Sequence, residues 1–221
     1  MDNETLILKV LVGSRAHGLH TEGSDYDWRG VFIVPTEEIF KVNAKLKETN
    51  WIEGKEDNTT WEIGHFMKMA TQCNPTILET FVAPVQESNE WGLRLRDLFP
   101  YVWDPKRVAD AFVGYGLNQR KKFLEEKDKH ANKFAVAYLR TLIQAEELLS
   151  LGALRVSFAD HPVFERLKHW KNCGDQIDFG EVINVTKVYE ALVGKALEGC
   201  KQEQDLDKIN EFMVNIRKAY L

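Results

Sequence analysis

The stretch VGSRAHGLHTEGSDYDWRGVFIVP, residues 12–35, decides the fold. Gly13 and Ser14 end one apolar segment of the chain. Two acids, Asp25 and Asp27, come directly before a second apolar segment. Side chains alternate across an extended chain, so acids at positions i and i+2 point to the same face. The stretch therefore predicts two strands, a Gly-Ser turn after the first and a pair of converging carboxylates before the second.

The paired acids predict a metal site. Two carboxylates a few ångströms apart repel each other, and one would take up a proton unless a cation neutralises them. Mg²⁺ prefers such hard oxygen ligands together with water and substrate phosphates, and Mn²⁺ accepts the same donors. The backbone N–H groups of Gly13 and the hydroxyl of Ser14 could cradle phosphate oxygens. The whole pattern indicates a nucleotide site, whereas an isolated D-x-D would be interpreted as a turn.

Composition limits the protein class. The chain of 221 residues has a formal charge of −5, which argues against bulk affinity for nucleic acid but leaves room for a local basic stripe. Its three cysteines form no C-x-x-C pair, so neither a disulfide framework nor a structural zinc site is expected. No apolar run approaches ~18 residues and the N-terminal sequence lacks a secretory pattern. These features predict a cytoplasmic protein.

Hydrophobic patterning changes near residue 100. Before this point, short apolar runs at 6–13 and 28–35 predict strands, and a helix is expected to start near Gly64. After it, helical spacing predicts four helices, at 130–152, 163–171, 179–199 and 206–220. We therefore expect an α/β (α+β) module with a mixed sheet over residues 1–104 and a helical bundle over residues 105–221. The active site is expected in the cleft between them.

Three stretches resemble a known family. They are GSRAHGLHTEGSDYDWRGVFI at 13–33, WEIGHFMKMATQCNPTILETFVAP at 61–84 and KHANKFAVAYLRTLIQAEELL at 129–149. The first resembles the G-S…D-x-D signature of the DNA polymerase β nucleotidyltransferase superfamily. All three together resemble the predicted nucleotidyltransferases associated with RNA repair in bacteria and phages. The resemblance implies an enzyme that binds an NTP with Mg²⁺ and transfers a nucleoside monophosphate to an acceptor hydroxyl, with RNA as the favoured acceptor.

The implied chemistry needs a third carboxylate on a neighbouring strand. Glu62 lies between Trp61 and Ile63, which is the hydrophobic-acid-hydrophobic pattern of the superfamily. Asp57 is the alternative, although its position also suits a turn. The two are five residues apart and face opposite sides of a regular strand, so only one is expected to join Asp25 and Asp27. Glu62 is the preferred third ligand.

Basic residues in the loop after the Gly-Ser turn are candidate phosphate ligands. Arg15 could neutralise triphosphate charge, and a neutral His17 could donate a hydrogen bond to it. His20 is as readily interpreted as an exposed loop residue.

A second set of cations lies on the long helix predicted at 130–152. Wheel geometry places four of them within about one quadrant: Lys129, His130, Lys133 and Arg140. Such a stripe could clamp a triphosphate or an RNA backbone, or it could be a solvated face. The family resemblance favours nucleotide-binding roles for Lys133 and Arg140. Glu79, in the second family stretch, is interpreted as a helix-face residue in preference to a ligand.

Two other functions stay open at this point. The chain could be a catalytically idle nucleotide-binding or antitoxin-like module, although such a module would be expected to have lost one of the paired acids. The acceptor could also be a protein hydroxyl or a small molecule.

Overall fold

A mixed five-stranded sheet forms one layer of the protein. The computed structural model describes residues 4–44, 47–52, 56–125 and 130–221, and it describes only the backbone of residues 51, 52, 56, 57 and 175. The strands are β1 (Thr5–Val12), β2 (Tyr26–Ile33), β3 (Thr49–Ile52), β4 (Glu56–Glu62) and β5 (Val85–Ser88). Their order across the sheet is β3-β4-β2-β1-β5, in which β2 and β4 are parallel and the other neighbours are antiparallel.

Helices follow most of the strands and dominate the chain after residue 89. Those interleaved with the strands, or directly following them, are α1 (Gly13–Ala16), α2 (Thr36–Ile39), α3 (Ile63–Thr71), α4 (Pro75–Val82), α5 (Glu90–Arg96) and α6 (Phe99–Val102). The later helices are α7 (Pro105–Leu124), α8 (Ala131–Leu151), α9 (Phe164–Asn172), α10 (Phe179–Gly199) and α11 (Leu206–Ala219). Within the described ranges, none of them combines the length and apolarity that crossing a membrane requires.

The fold class and the main elements predicted from the sequence are confirmed. The two apolar runs form β1 and β2, and the helix expected near Gly64 is α3. The four later helices are found within a residue or two of their predicted bounds. Gly152 ends α8 in the left-handed conformation with φ 70°, which a glycine adopts without steric cost.

One hydrophobic cluster joins the sheet to the helices on both sides of residue 104. Ile7 of β1 and Val31 of β2 belong to the same buried cluster as Leu142 of α8 and Ile216 of α11. Helix α11 therefore packs back onto the first half of the chain. Thr36 reinforces this contact, since its hydroxyl donates to the Arg217 carbonyl at 2.6 Å.

A second cluster lies among α8, α9 and α10, and it includes Leu19 from the loop after α1. Leu19, which lies shortly after the Gly-Ser turn in the sequence, is thus buried among the later helices. This arrangement brings the N-terminal loop and the helical half together at one place.

Candidate functional site

The Gly-Ser turn and the second acid of the pair are in direct contact. Val12 pairs with Asp27 across the antiparallel β1–β2 ladder, and Gly13 follows with φ 68°. A Cβ atom built on Gly13 would lie 1.9 Å from Oδ2 of Asp27. Only glycine fits this position, both because of its backbone conformation and because the carboxylate occupies the space of a side chain.

The two acids lie at the start of β2. Asp25 is exposed just before the strand, and Asp27 is half-buried two residues further along. Ser14 is half-buried in α1, where its carbonyl accepts a hydrogen bond from the Leu19 amide at 2.9 Å. The structure thus brings the predicted turn to Asp27, and Asp25 lies two residues before it.

The register of the parallel β2–β4 pair separates the two candidates for the third carboxylate. Asp57 is aligned with Asp27, whereas Glu62 is aligned with Phe32. Five residues of strand correspond to about 16 Å, so Glu62 lies at the other end of the sheet from the paired acids. The preference for Glu62 therefore does not fit the structure, and it is the alternative, Asp57, whose backbone lies opposite Asp27.

Glu62 has a structural environment of its own. Its Oε2 accepts from the Gly64 amide at 2.7 Å, which caps the N-terminus of α3. Its Oε1 accepts from Arg217 of α11 at 2.7 Å. The buried carboxylate therefore joins α3 to α11. Trp61 and Ile63, the apolar neighbours that suggested a catalytic acid, flank a residue that caps a helix.

Arg15 contacts the acidic loop. Its Nε and Nη2 donate to the Ser24 carbonyl at 3.1 and 2.8 Å, and its guanidinium lies 3.9 Å from the ring centroid of Tyr26. These contacts hold the backbone directly before Asp25. Arg15 thus supports the loop that carries the acids, and its contact with phosphate stays a prediction.

His17 and Arg140, predicted separately as phosphate ligands, meet at one buried carboxylate. Nε2 of His17 lies 2.6 Å from Oε1 of Glu79, and Nη1 of Arg140 lies 3.4 Å from the same atom. Gln144 completes the group, since its Nε2 reaches Glu79 at 3.5 Å and its Oε1 accepts from Arg140 at 3.1 Å. We call His17, Glu79, Arg140 and Gln144 the Glu79 cluster.

Burial and charge set the protonation of this cluster. Burial lowers the pKa of His17, and the positive charge of Arg140 lowers it further, against the opposing effect of Glu79. Burial alone would raise the pKa of Glu79, but the attraction of His17 and Arg140 and the hydrogen bonds of His17 and Gln144 lower it to about 2. Glu79 is therefore ionised and His17 neutral at pH 7. Arg140 is then the permanent positive charge that keeps Glu79 ionised. The neutral His17 donates a hydrogen bond from its Nε2–H to the Glu79 carboxylate.

Lys171 of α9 lies within electrostatic reach of Asp27 and of Lys133 on α8. Lys171 of α9 donates from Nζ to the Leu19 carbonyl. Burial lowers the pKa of Lys171, the charge of Lys133 lowers it further, and the charge of Asp27 opposes the shift. Lys171 is thus within electrostatic reach of both residues. Lys133 is exposed on α8, and Lys129 of the predicted basic stripe lies outside the described residues.

Sequence analysis missed the importance of three residues. Glu79 was interpreted as a helix-face residue, and Gln144 and Lys171 were assigned no role. The single charged residue on the segment NPTILETFV was the available signal for Glu79. Lys171 gave no local signal, because its contact with Leu19 joins positions 152 residues apart.

The two acids alone do not complete a metal cage. Among the side chains described, no group of three His, Cys, Asp or Glu residues is arranged to hold a metal ion. Asp25 and Asp27 offer hard oxygen donors, and the backbone of Asp57 in β4 is aligned with that of Asp27.

Comparison with known proteins places the chain in a family. It is similar to an uncharacterised 38.9 kDa protein of enterobacteria phage T4, with 26% identity over 163 residues, or 70% of this chain and 46% of the phage protein. The chain thus spans about half the length of that relative. A nucleotidyltransferase-like protein from Exiguobacterium sibiricum matches at a TM-score of 0.31 and 10% identity, over 88% of this chain and 69% of that one. The model of the RNA repair pathway DNA polymerase beta family matches residues 2–172, and the chain belongs to that family.

Proposed function

We propose that this protein is a metal-dependent nucleotidyltransferase that transfers a nucleoside monophosphate from an NTP to a hydroxyl group of RNA. The observation that carries the proposal is the contact between Gly13 and the Asp27 carboxylate. It unites a turn able to bind phosphate with the acids of the D-x-D pair. Family membership supports the same reaction class.

The donor set suits Mg²⁺ or Mn²⁺. Asp25 and Asp27 would hold the ion through carboxylate oxygens, and Asp57 occupies the backbone position from which a third acid would join them. When bound, the metal supplies positive charge that neutralises the phosphates and activates the attacking oxygen. Glu62 is not part of this set, because Arg217 and the α3 N-terminus are its partners.

The chain's own groups contribute positioning and charge. Gly13 and Ser14 would contact the triphosphate beside Asp27, and Lys171 and Lys133 would approach it from the helical half. The acceptor oxygen forms a bond to the α-phosphorus, and the bond from that phosphorus to the bridging oxygen breaks, so that pyrophosphate leaves. Holding these groups in line is the main way in which such a protein lowers the barrier.

RNA is the proposed acceptor because the family is named for an RNA repair pathway. The net charge of −5 means that RNA affinity would depend on local cations, and Lys171, within electrostatic reach of Asp27 and Lys133, would be one of them. A protein or small-molecule acceptor would use the same chemistry, and an idle nucleotide-binding module would bind the NTP without turnover.

The test incubates the protein with each α-labelled NTP, Mg²⁺ and separate pools of RNA, protein and metabolites. We expect label on RNA, and we expect Asp25→Asn and Asp27→Asn to reduce it at least 100-fold. Asp110→Asn is the matched control, because Asp110 is an exposed carboxylate on α7 and should leave transfer unchanged.

Three outcomes would contradict the proposal in different ways. Label found only on protein or on a metabolite would overturn the RNA acceptor. Full transfer by both Asp variants would overturn the assignment of the site. Binding of an NTP without label on any acceptor would favour the idle module.

A further inference from the structure

A single carboxylate oxygen inside the protein joins three elements. Oε1 of Glu79, on α4, lies within hydrogen-bond distance of His17 beyond the end of α1 and of Arg140 and Gln144 on α8. Glu79 retains only 8% of its exposure and His17 only 7%. A charge this deeply buried costs free energy unless its partners compensate it, so the positions of those partners are tightly constrained.

The Glu79 cluster lies directly behind the turn that carries Gly13 and Ser14. The His17 amide donates to the Gly13 carbonyl at 3.0 Å, so the anchored histidine is the closing residue of the turn itself. From the other side, the Phe158 amide donates to the His17 carbonyl at 3.0 Å. The turn is therefore fixed against the loop between α8 and α9 as well as against α4.

The same cluster also fixes that loop. Nε2 of Gln144 donates to the Arg155 carbonyl at 2.7 Å, and Arg155 forms an ion pair with Glu147 at 2.7 Å. Asp160 accepts from Arg155 at 2.7 Å. One continuous set of polar contacts thus runs from the turn, through Glu79, to the loop that covers His17.

We propose that Glu79 is a positioning residue that acts through His17 to hold the Gly13–Ser14 turn in the geometry that binds the NTP phosphates. The inference rests on the proposed function. Because Asp27 fills the space beside Gly13, a shift of the turn by a few tenths of an ångström changes both the phosphate contacts and the packing of the metal-binding acid. Glu79 itself does not touch the reacting atoms.

A positioning role and a purely structural role have different consequences. If the cluster only stabilises the fold, losing the His17 contact lowers the melting temperature and leaves nucleotide affinity unchanged well below it. If it positions the turn, the KM for the NTP rises while kcat changes little, since contacts shared by the ground and transition states weaken together.

The test uses His17→Leu, His17→Gln and the matched control His20→Leu. His17→Leu removes the donor but leaves Glu79 compensated by Arg140 and Gln144, so this variant is expected to fold. Glutamine keeps an N–H donor, so it should restore the contact. His20 is exposed three residues further along the same loop. The measurements are the Kd of each Mg²⁺–NTP by calorimetry, the KM and kcat of transfer, and hydrogen exchange of the His17 and Leu19 amides.

We expect His17→Leu to raise the Kd and KM at least five-fold, to change kcat less than two-fold, and to accelerate exchange of the two amides at least ten-fold. His17→Gln should recover most of each effect, and His20→Leu should match the unmodified protein. An unchanged Kd or unchanged amide exchange in His17→Leu would overturn the inference. If the unmodified protein binds no NTP, the proposed function fails, and with it the inference as stated, even where the exchange result shows that His17 orders the turn.

Discussion

At the scale of single residues, Gly13 is the position at which backbone and site are most closely coupled. An alanine there would meet Oδ2 of Asp27 at 1.9 Å in addition to the strain of φ 68°. We expect Gly13→Ala to lower the free energy of unfolding by about 2 to 4 kcal/mol and to weaken Mg²⁺–NTP binding at least ten-fold.

Gly152→Ala separates the two contributions to the stability loss of Gly13→Ala, which are the clash with Asp27 and the backbone strain. Gly152 has φ 70° but nothing within 4 Å of an added Cβ, so this variant carries only the backbone strain, about 1 kcal/mol. Urea unfolding of both variants gives the difference. Equal losses in the two variants would show that Asp27 does not occupy the space beside Gly13.

The Glu79 cluster predicts a loss of stability in acid. The folded protein holds His17 neutral, with Glu79, Arg140 and Lys171 as the charged groups around it, so it binds fewer protons than the unfolded chain as pH falls below about 6.5. Stability linked to His17 is therefore present at pH 7.5 and is lost on acidification. The depressed pKa of Glu79 adds a second loss, which begins as pH falls below about 4.5 and continues toward the folded-state pKa of about 2.

Unfolding by urea between pH 7.5 and 3 checks both parts of this prediction. His17→Gln should remove the share of the dependence between pH 7.5 and about 5 that belongs to His17, and leave the share of His161, whose pKa burial also lowers. It should weaken the loss below pH 4.5 without abolishing it, because Arg140 and the hydrogen bond of Gln144 still lower the pKa of Glu79. A His17→Gln protein with the same pH dependence as the unmodified protein would contradict the neutral, buried histidine.

At the scale of elements, the register between β2 and β4 decides which acid completes the site. Asp57→Asn is expected to reduce transfer at least 100-fold with little change in stability, because its backbone lies opposite Asp27. Glu62→Gln is expected to keep transfer within about two-fold while lowering the free energy of unfolding by about 1 to 3 kcal/mol, because it breaks the ion pair with Arg217. The reverse pattern would restore Glu62 as the third ligand.

These elements also show what sequence patterns can and cannot predict. Period-two and helical spacing located β1, β2 and the later helices, because each pattern is local. The choice between Glu62 and Asp57 depended on the alignment of two strands whose paired residues lie about 30 positions apart in the sequence, which no local pattern contains. The acids and the Gly-Ser turn were found because both lie in one short stretch. The Glu79 cluster was missed as a unit because its members come from two separate helices, α4 and α8, and from the turn after α1.

At the scale of the whole molecule, the hydrophobic core does not stop at residue 104. Ile216 of α11 is fully buried in the cluster that also contains Ile7 of β1. Ile216→Ala is therefore expected to lower the free energy of unfolding by about 2 to 5 kcal/mol and to destabilise both halves together. Thermal unfolding should remain one cooperative transition. If Ile216→Ala instead showed two transitions and shifted only that of residues 105–221, independent units at 1–104 and 105–221 would be supported.

The central claim is that the paired acids beside the Gly-Ser turn perform nucleotidyl transfer. The most direct measurement is the rate of pyrophosphate release from each NTP in the presence of RNA, with Mg²⁺ and with the metal removed by a chelator. We expect release that requires Mg²⁺ and falls at least 100-fold in Asp27→Asn, with Asp110→Asn unaffected. Release by Asp27→Asn at the rate of the unmodified protein, or release that persists without a divalent metal, would contradict it.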